Sequence, residues 1–401
     1  MITLAMIVRN EAPRLPACLA SAAGAVDEIV VVDTGSTDAT ADVARRHGAR
    51  VVAWAWQDDF AAARNEALRH AGGDWVLVLD ADERLAPGAA PRVRALAAAA
   101  GAEGYDCEIV SALPAGQPAA SISHRYCRLF RRLPGVRFEG RIHEQVAPSI
   151  LAAGGRIVRG DVRILHDGYA EPGRARSERN LALLRRALAE RPGDAFTLLN
   201  LGLALHGDGR WAEAADAFER ALDSDAAPLA PDLRAVAWMK LAEARLAERR
   251  WDAAADAAER ALGLAPDLAL ARYVLGRARF EQGALDAAER LFDGLAGAPA
   301  DALGVTLHAR LVAVARALVR LRRRRWQDAA ELLGPVADED PTGEAVFHLG
   351  NAYLGLGRLA AAAAAYRTAQ ARGFRDPSLE RRLALAARLA GPEPAALGAR
   401  R

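Results

Sequence analysis

The sequence predicts two folds in one chain: an α/β domain with a parallel sheet, followed by an all-α superhelix of repeated helix pairs. Up to about residue 85, short apolar runs alternate with helix-length segments, which is typical of βαβ units. Beyond about residue 170, apolar residues recur at helical spacing. The acidic motif Asp80-Ala81-Asp82-Glu83 directly follows the fourth apolar run, at the edge where such sheets bind ligands.

Four apolar runs predict the parallel strands, at residues 2–8, 29–32, 49–54 and 75–79. Small and apolar residues at helical spacing predict two of the intervening helices, with Leu15, Cys18, Leu19 and Ala22 in one and Ala63, Ala67, Leu68 and Ala71 in the other. Proline and glycine are scattered through residues 86–170, where we expect a smaller mixed sheet and loops. The extended candidates there are residues 107–110, 126–130, 136–138 and 156–165.

The C-terminal half repeats as helix pairs. Equivalent positions are Trp211, Trp251, Leu285, Trp326 and Leu359, which are 40, 34, 41 and 33 residues apart. Nine positions before them stand the small residues Gly202, Ala242, Gly276, Ala317 and Gly350, and seven positions after them stand Phe218, Ala258, Phe292, Leu333 and Tyr366. This pattern resembles the tetratricopeptide repeat. Such pairs stack into a superhelix whose concave face holds a peptide or protein, so a protein partner is expected there.

These changes of pattern predict four segments. We expect the α/β domain over residues 1–170, a helical linker over 171–195, the repeats over 196–390 and a tail over 391–401. The linker is expected to be helical because leucines recur on a charged background over residues 174–190, which indicates an amphipathic helix.

Composition excludes several classes of function. The chain has 401 residues, of which 52% are hydrophobic and 26% charged, as in folded soluble proteins. Its net charge of +2 gives no field that attracts nucleic acid. No uncharged apolar stretch reaches the ~20 residues that span a bilayer. The cysteines Cys18, Cys107 and Cys127 are too scattered for a disulfide framework or a zinc site, and no signal peptide is recognisable, so a cytoplasmic location is expected.

Asp80 and Asp82 predict a metal site at the end of the fourth strand, because paired carboxylates there can hold Mg²⁺ or Mn²⁺ that bridges phosphate oxygens. Alternatively, they end the strand and cap the next helix, which an isolated Asp-x-Asp favours. Asp33, at the end of the second strand, also has two interpretations. It either shapes the turn and caps the next helix, or it accepts hydrogen bonds from a base or ribose. Neither a P-loop nor a dinucleotide fingerprint is present, so a bound nucleotide diphosphate needs its charge neutralised by a cation.

Four ordered motifs resemble family 2 glycosyltransferases. They are MIVRNE at 6–11, VDTGSTD at 32–38, DFAAARN at 59–65 and DWVLVLDADE at 74–83. The resemblance covers residues 1–170 and is closest to the bacterial branch that carries tetratricopeptide repeats behind the catalytic domain. It implies the GT-A fold, binding of a nucleotide sugar at the carboxyl ends of the strands, and transfer of the sugar with inversion at the anomeric carbon. The donor nucleotide expected from the family is UDP.

The resemblance also implies roles for residues of the nucleotide pocket. Asp33 matches the acid that contacts the nucleoside. Arg64 and Asn65 match residues that line the nucleotide pocket. Asn10 and Glu11 are expected to border the uridine side.

The metal and the catalytic base are implied in the same way. Asp80 and Asp82 match the Asp-x-Asp motif, in which the second acid usually ligates the metal and the first borders the nucleotide sugar. His166 closes the catalytic domain and is a candidate third ligand, although a lone histidine is often just a satisfied polar residue. The stretch around residues 138–144 resembles that of the repeat-bearing enzymes, which makes Glu144 the first candidate for the base and Glu139 the second.

The sequence thus predicts a metal-dependent, inverting glycosyltransferase whose repeats recruit a polypeptide or envelope-glycan acceptor. The alternative is a scaffold that binds a nucleotide sugar and acts through its repeats. The presence of both Asp80 and Asp82 favours the enzyme.

Overall fold

The computed structural model describes residues 1–111, 122–166, 174–225, 228–297 and 307–390. The chain forms two compact units, Met1–Leu229 and Ala230–Arg401. The predicted tail at 391–401 and the first three residues of the predicted linker lie outside the described residues. The four segment limits stay a prediction.

Within the described residues, the first unit contains an eight-stranded mixed sheet in the order β3-β2-β1-β4-β7-β6-β8-β5. The strands are β1 (Ile2–Val8), β2 (Glu28–Asp33), β3 (Arg50–Ala53), β4 (Trp75–Val78), β5 (Glu83–Leu85), β6 (Gly104–Ser111), β7 (Ile122–Arg131) and β8 (Ile157–His166). The first four strands are parallel, which confirms the predicted parallel sheet. Their carboxyl ends therefore meet at one edge.

The prediction of a separate, smaller sheet is wrong. β7 pairs antiparallel with β4, with Leu77 opposite Leu129, and carries β6, β8 and β5 into the same sheet. The predicted extended segment at 136–138 is not a strand, since the loop forms only an isolated bridge between Glu139 and Gln145. β5 was not predicted, because a strand of three residues is too short to show a periodic sequence pattern.

Helices cover both faces of this sheet. They are α1 (Leu15–Ser21), α2 (Thr40–Arg46), α3 (Phe60–His70), α4 (Ala89–Ala98) and α5 (Ala147–Ala152). Alternate side chains of each strand point to opposite faces. Met6 and Leu77 therefore pack with α1, α2 and α4, while Val76 and Val78 pack with α3 and α5. Burial on both faces explains why these strands are apolar without alternation.

The elements that the structure describes beyond β8 are all helices. The first unit ends with α6 (Arg174–Glu190), α7 (Ala195–Gly207) and α8 (Trp211–Leu222), and the second unit contains α9 (Pro231–Ala247), α10 (Trp251–Leu264), α11 (Ala269–Glu281), α12 (Leu285–Asp293), α13 (Ala309–Arg322), α14 (Trp326–Ala337), α15 (Glu344–Gly355), α16 (Leu359–Ala371) and α17 (Leu379–Ala390). None of the helices in the described ranges is both long and apolar enough to cross a membrane.

The repeat alignment is confirmed at the level of single residues. Its five anchor positions are the first residues of α8, α10, α12, α14 and α16. The small residues nine positions earlier lie in the preceding helices, where three glycines face an aromatic ring. A Cβ at Gly276 would lie 2.5 Å from Cε1 of Phe292, and Gly202 and Gly350 face Phe218 and Tyr366 in the same way. The aromatic ring thus fills the space that the absent side chain leaves.

We expect Gly276→Ala to destabilise the second unit by about 1–3 kcal/mol, because the added methyl group overlaps the buried ring of Phe292. The matched control is Gly263→Ala in α10, where a Cβ would meet nothing within 4 Å. That change is expected to leave stability unchanged or raise it by up to ~1 kcal/mol. Urea unfolding of the full chain measures both, and equal free energies of unfolding for the two variants would contradict the close contact.

Candidate active site

A cavity of about 450 Å³ lies at the carboxyl ends of β1 and β4. Six of the residues expected in the site line it, namely Glu11, Arg64, Asp80, Asp82, Glu144 and His166. Four aromatic side chains that were not singled out as site residues complete its walls, namely Trp56, Phe60, Tyr126 and Phe138. The cavity therefore combines apolar walls with a few converging charged groups, as small-molecule sites do.

Arg64 is the centre of the charged groups. Its guanidinium donates to Oδ1 of Asp80 over 2.7 Å and, through Nε, to Oε1 of Glu144. The Arg64 side chain is only 7% exposed. α3 places it there, because Asp59 caps that helix by accepting from the N–H of Ala62 at 2.9 Å. One buried cation thus holds together carboxylates from two distant parts of the chain.

A second arginine completes this network. Nη2 of Arg128, on β7, lies 2.7 Å from Oε1 of Glu83 and 3.3 Å from Oδ2 of Asp80. Oε2 of Glu83 in turn accepts from the backbone N–H of Asp80 at 2.8 Å. The buried Nε–H of Arg128 has no acceptor among the described residues. This N–H is a donor for an anion in the cavity, whereas Asp80, Glu83 and Glu144 offset the charges of the two arginines.

The network fixes the charge states of its members. Burial alone would raise the pKa of Asp80, but Arg64 and Arg128 outweigh it and hold that pKa well below its usual value. For Arg64, burial is outweighed by Asp80 and Glu144, so its pKa is raised. Burial raises the pKa of Glu83, against the opposing effect of Arg128. Asp80 is therefore an anion across the physiological range.

Asp82 stands apart from the arginines and contacts His166. Nε2 of His166 lies 3.5 Å from Oδ2 of Asp82, and its Nδ1 lies 3.1 Å from Oγ of the buried Ser111. One carboxylate and one imidazole fit a divalent cation that takes its other ligands from phosphate oxygens and water. Asp80 fits less well, because both of its carboxylate oxygens already accept from arginines. No group of three or more ligating side chains is found in the described ranges.

Asn10 and Asp33 lie beside the cavity and shape the turns after β1 and β2. Oδ1 of Asp33 accepts from the backbone N–H groups of Gly35 and Ser36 at 3.1 and 2.8 Å. Oδ1 of Asn10 accepts from the N–H of Thr37 at 2.8 Å. Asn10 itself has a φ of +56°, a conformation that asparagine tolerates. Both residues thus fix the rim, and a role in binding a nucleoside stays a prediction.

Asn65 and Glu139 also lie outside the lining of the cavity. The Asn65 amide exchanges two hydrogen bonds with the backbone of Phe138, at 2.8 and 3.0 Å, and so anchors the loop that leads to Glu144. Glu139 forms an ion pair with Arg137 at 2.6 Å. Of the two candidate bases, Glu144 is the one that borders the cavity.

The pKa of His166 is raised above its ordinary value of 6.5, chiefly by its contact with the Asp82 carboxylate. This contact therefore stabilises the fold fully below pH 6.5, and the contribution is lost as the pH rises through the raised pKa. We expect Asp82→Asn to lower the pKa of His166, which NMR titration of the ring protons measures, with His166→Gln to assign the signal. An unchanged pKa in Asp82→Asn would contradict the contact.

Comparison with known proteins assigns both halves of the chain. Residues 3–158 match the model of glycosyl transferase family 2. Residues 175–231, 239–302 and 314–378 match the tetratricopeptide repeat. The chain therefore carries a family 2 glycosyltransferase domain followed by tetratricopeptide repeats, which confirms the resemblance and the fold class predicted from the motifs.

Individual relatives share parts of this arrangement. A TPR repeat-containing protein of Synechococcus elongatus is 40% identical over 217 residues, which are 52% of this chain and 53% of the relative. The SPbeta prophage-derived glycosyltransferase SunS of Bacillus subtilis is 25% identical over 231 residues, or 56% of this chain and 53% of SunS. An uncharacterized glycosyltransferase of Rickettsia felis is 37% identical over 84 residues, or 21% of this chain and 29% of that protein. This chain thus spans about half the length of the first two.

Proposed function

We propose that this protein transfers a sugar with inversion from a nucleotide-diphosphate donor, a UDP-sugar, to a polypeptide or envelope-glycan acceptor recruited by the repeats. The reaction depends on Mn²⁺ or Mg²⁺. The observation that carries the proposal is the convergence of Asp82, His166 and the Arg64–Glu144 pair on one cavity, at the carboxyl edge of a family 2 domain. The donor base rests on the family alone, whereas the acceptor class rests on the family and on the repeats.

The donor's leaving group is the nucleotide diphosphate, whose negative charge grows as the bond to the anomeric carbon breaks. Asp82 and His166 would hold the cation. A bound Mn²⁺ or Mg²⁺ supplies positive charge for the departing diphosphate. Arg64 and Arg128 offer fixed N–H groups on the same wall, held in place by their carboxylate partners. Groups fixed before the reaction stabilise the transition state without reorganising.

The acceptor oxygen attacks the anomeric carbon from the face opposite the leaving group, which inverts the configuration. Its proton needs a base, and Glu144 is the carboxylate of the 139–145 loop that lines the cavity. Arg64 contacts its Oε1, which leaves Oε2 as the atom to take the proton. Glu139, which forms an ion pair with Arg137, is the second candidate.

The repeats support a macromolecular acceptor, because tetratricopeptide arrays bind peptides and proteins on a concave face. A cytoplasmic location is part of the proposal. It is supported by three free cysteines that are all buried, Cys18, Cys107 and Cys127, since disulfides are rare in a reducing compartment.

The first test is thermal unfolding with UDP in the presence of Mn²⁺ or of chelator. A ligand at ~100 times its dissociation constant adds about 2.7 kcal/mol to the stability of the native state. We expect a clear rise in melting temperature only when UDP and Mn²⁺ are present together. A rise that is equal with chelator would contradict the metal-dependent site, and the absence of any rise would point to another nucleotide or to the scaffold.

The scaffold remains the competing function, and it is supported by the engagement of both Asp80 oxygens by arginines, which leaves neither oxygen free to bind a cation. Release of free sugar from a UDP-sugar in the absence of acceptor separates the two. A transferase transfers the sugar slowly to water, whereas a binding protein leaves the donor intact. We expect release that requires Mn²⁺ or Mg²⁺.

A further inference from the structure

The turn that carries His143 and Glu144 is held at its base by backbone hydrogen bonds. Glu139 and Gln145 exchange N–H···O bonds of 2.9 Å in both directions. At its tip, His143 has a φ of +55°, a conformation that costs energy for a residue with a side chain. His143 and Glu144 line the cavity, so contacts outside this small bridge must help to hold the turn in position.

Arg141, on the same turn, makes such contacts. Its backbone C=O accepts from the N–H of Phe60 at 2.8 Å. Its Nε lies 2.9 Å from both carboxylate oxygens of Glu190, and its Nη1 lies 3.4 Å from Oδ2 of Asp59. Glu190 is the last residue of α6, and Asp59 caps the helix that carries Arg64. One side chain thus ties the turn to α3 and to α6.

Helix α6 reaches the site at other points as well. Arg179 and Asn180 line the cavity, and the guanidinium carbon of Arg179 lies 5.8 Å from the centroid of the Phe60 ring. Nη1 of Arg186 lies 3.4 Å from Oδ2 of Asp58. These contacts fasten α6 beside the cavity along its length, although α6 falls in the segment that matches the repeats.

We infer that α6 is a working part of the transfer site and that Arg141 is a positioning residue, which fixes the turn bearing Glu144 through its ion pair with Glu190. This rests on the proposed function. Arg141 makes and breaks no bond itself. Its side chain is 19% exposed and that of Glu190 is 49% exposed, so solvent screening keeps the contribution of the pair to stability small. Removal of the Arg141–Glu190 ion pair is therefore expected to change the placement of Glu144 and to leave the fold intact.

The test measures sugar release from a UDP-sugar by the full-length protein with Mn²⁺. We expect Arg141→Ala to lower kcat by about fivefold, the effect of losing a solvent-screened ion pair that holds the turn in place. The KM for the donor should stay within about twofold, because ground-state binding is unchanged. Glu190→Gln, which leaves the turn itself intact, should lower kcat in the same direction. Arg141→Lys should recover part of the loss, because it keeps the positive charge.

The control is Arg92→Ala, which removes an exposed ion pair with Asp161 and should leave kcat unchanged. An active wild type with an unchanged kcat in Arg141→Ala and Glu190→Gln would overturn this inference alone. A higher KM at unchanged kcat would also overturn it, because that marks a binding residue. Failure of the wild type to release sugar from any nucleotide donor would overturn the proposed function and this inference together.

Discussion

Replacing Asp82 by asparagine is expected to lower sugar release by about 10³-fold or more and to abolish the Mn²⁺-dependent part of the stabilisation by UDP. The change removes one negative charge from the Asp82–His166 pair, whose side chains are 19% and 24% exposed. A cation held by one carboxylate and one imidazole loses its only anionic protein ligand in this change. Under the proposed function, the developing charge on the diphosphate would then lack the cation, which supplies several kcal/mol in such reactions.

Asp161→Asn is the matched control for this experiment. Asp161 is 60% exposed and pairs with Arg92 on the surface, so its loss should change neither release nor the response to UDP. Partner binding by the repeats should persist in Asp82→Asn, because the change lies in the α/β domain. Wild-type activity in Asp82→Asn would contradict the assignment of the metal site.

Replacing Arg64 by methionine is expected to destabilise the first unit by about 3 kcal/mol and to abolish activity. Methionine keeps much of the length of the arginine side chain but leaves Asp80 and Glu144 without the cation between them. Breaking a buried ion pair on one side costs about 3–5 kcal/mol. The lower end of this range of energies applies here, because the Asp80 side chain is 37% exposed and therefore partly solvated.

The loss of folding stability in Arg64→Met should become smaller as the pH falls. In the wild type, the low pKa of Asp80 stabilises the fold throughout the neutral range. Without Arg64, burial raises the folded-state pKa of Asp80 against the opposing effect of Arg128 alone. The unfolded chain then binds fewer protons than the folded one as the pH falls, so acid favours the folded variant. The deficit relative to wild type should therefore shrink between pH 7.5 and pH 5.

Urea unfolding at both pH values measures this effect. The control is Arg45→Met, which removes an exposed pair with Asp42 at 2.8 Å and should change stability by no more than ~0.5 kcal/mol. A loss for Arg64→Met as small as that of the control would show that the Asp80 and Glu144 carboxylates do not depend on Arg64.

Local pattern was sufficient for much of the fold. The parallel strands are marked by continuous apolar runs and the helix pairs by a period of 3.6 residues, and the anchor positions marked the first residues of five helices. The placement of β7 against β4 could not be predicted in this way. It depends on contacts such as that of Trp75 with Arg131, which are far apart in sequence and carry no shared period.

The site was predictable only in outline. The motifs indicated Arg64 and Glu144 separately, but nothing in the sequence indicated that they contact each other across 80 positions. The pairing of Glu83 with Arg128 was equally invisible, since a charged residue in a strand usually faces water. Asn65 stands in the expected motif, yet its amide holds the backbone of Phe138 instead of lining the cavity. A motif gives residue types, whereas their hydrogen bonds depend on the tertiary fold.

The contacts of α6 restrict how such a chain can be recombined. Residues 159–174 lie between the two family matches. This segment would therefore be the obvious place to join the catalytic domain to a different repeat array, in evolution or in protein engineering. A new repeat array joined at that point would bring its own first helix and would lose the Arg141–Glu190 pair together with Arg179 and Asn180. A junction next to residue 230, between the compact units, would retain them. A repeat array is therefore expected to be exchangeable behind α6 but not in front of it, and we expect α6 to evolve with the domain it contacts.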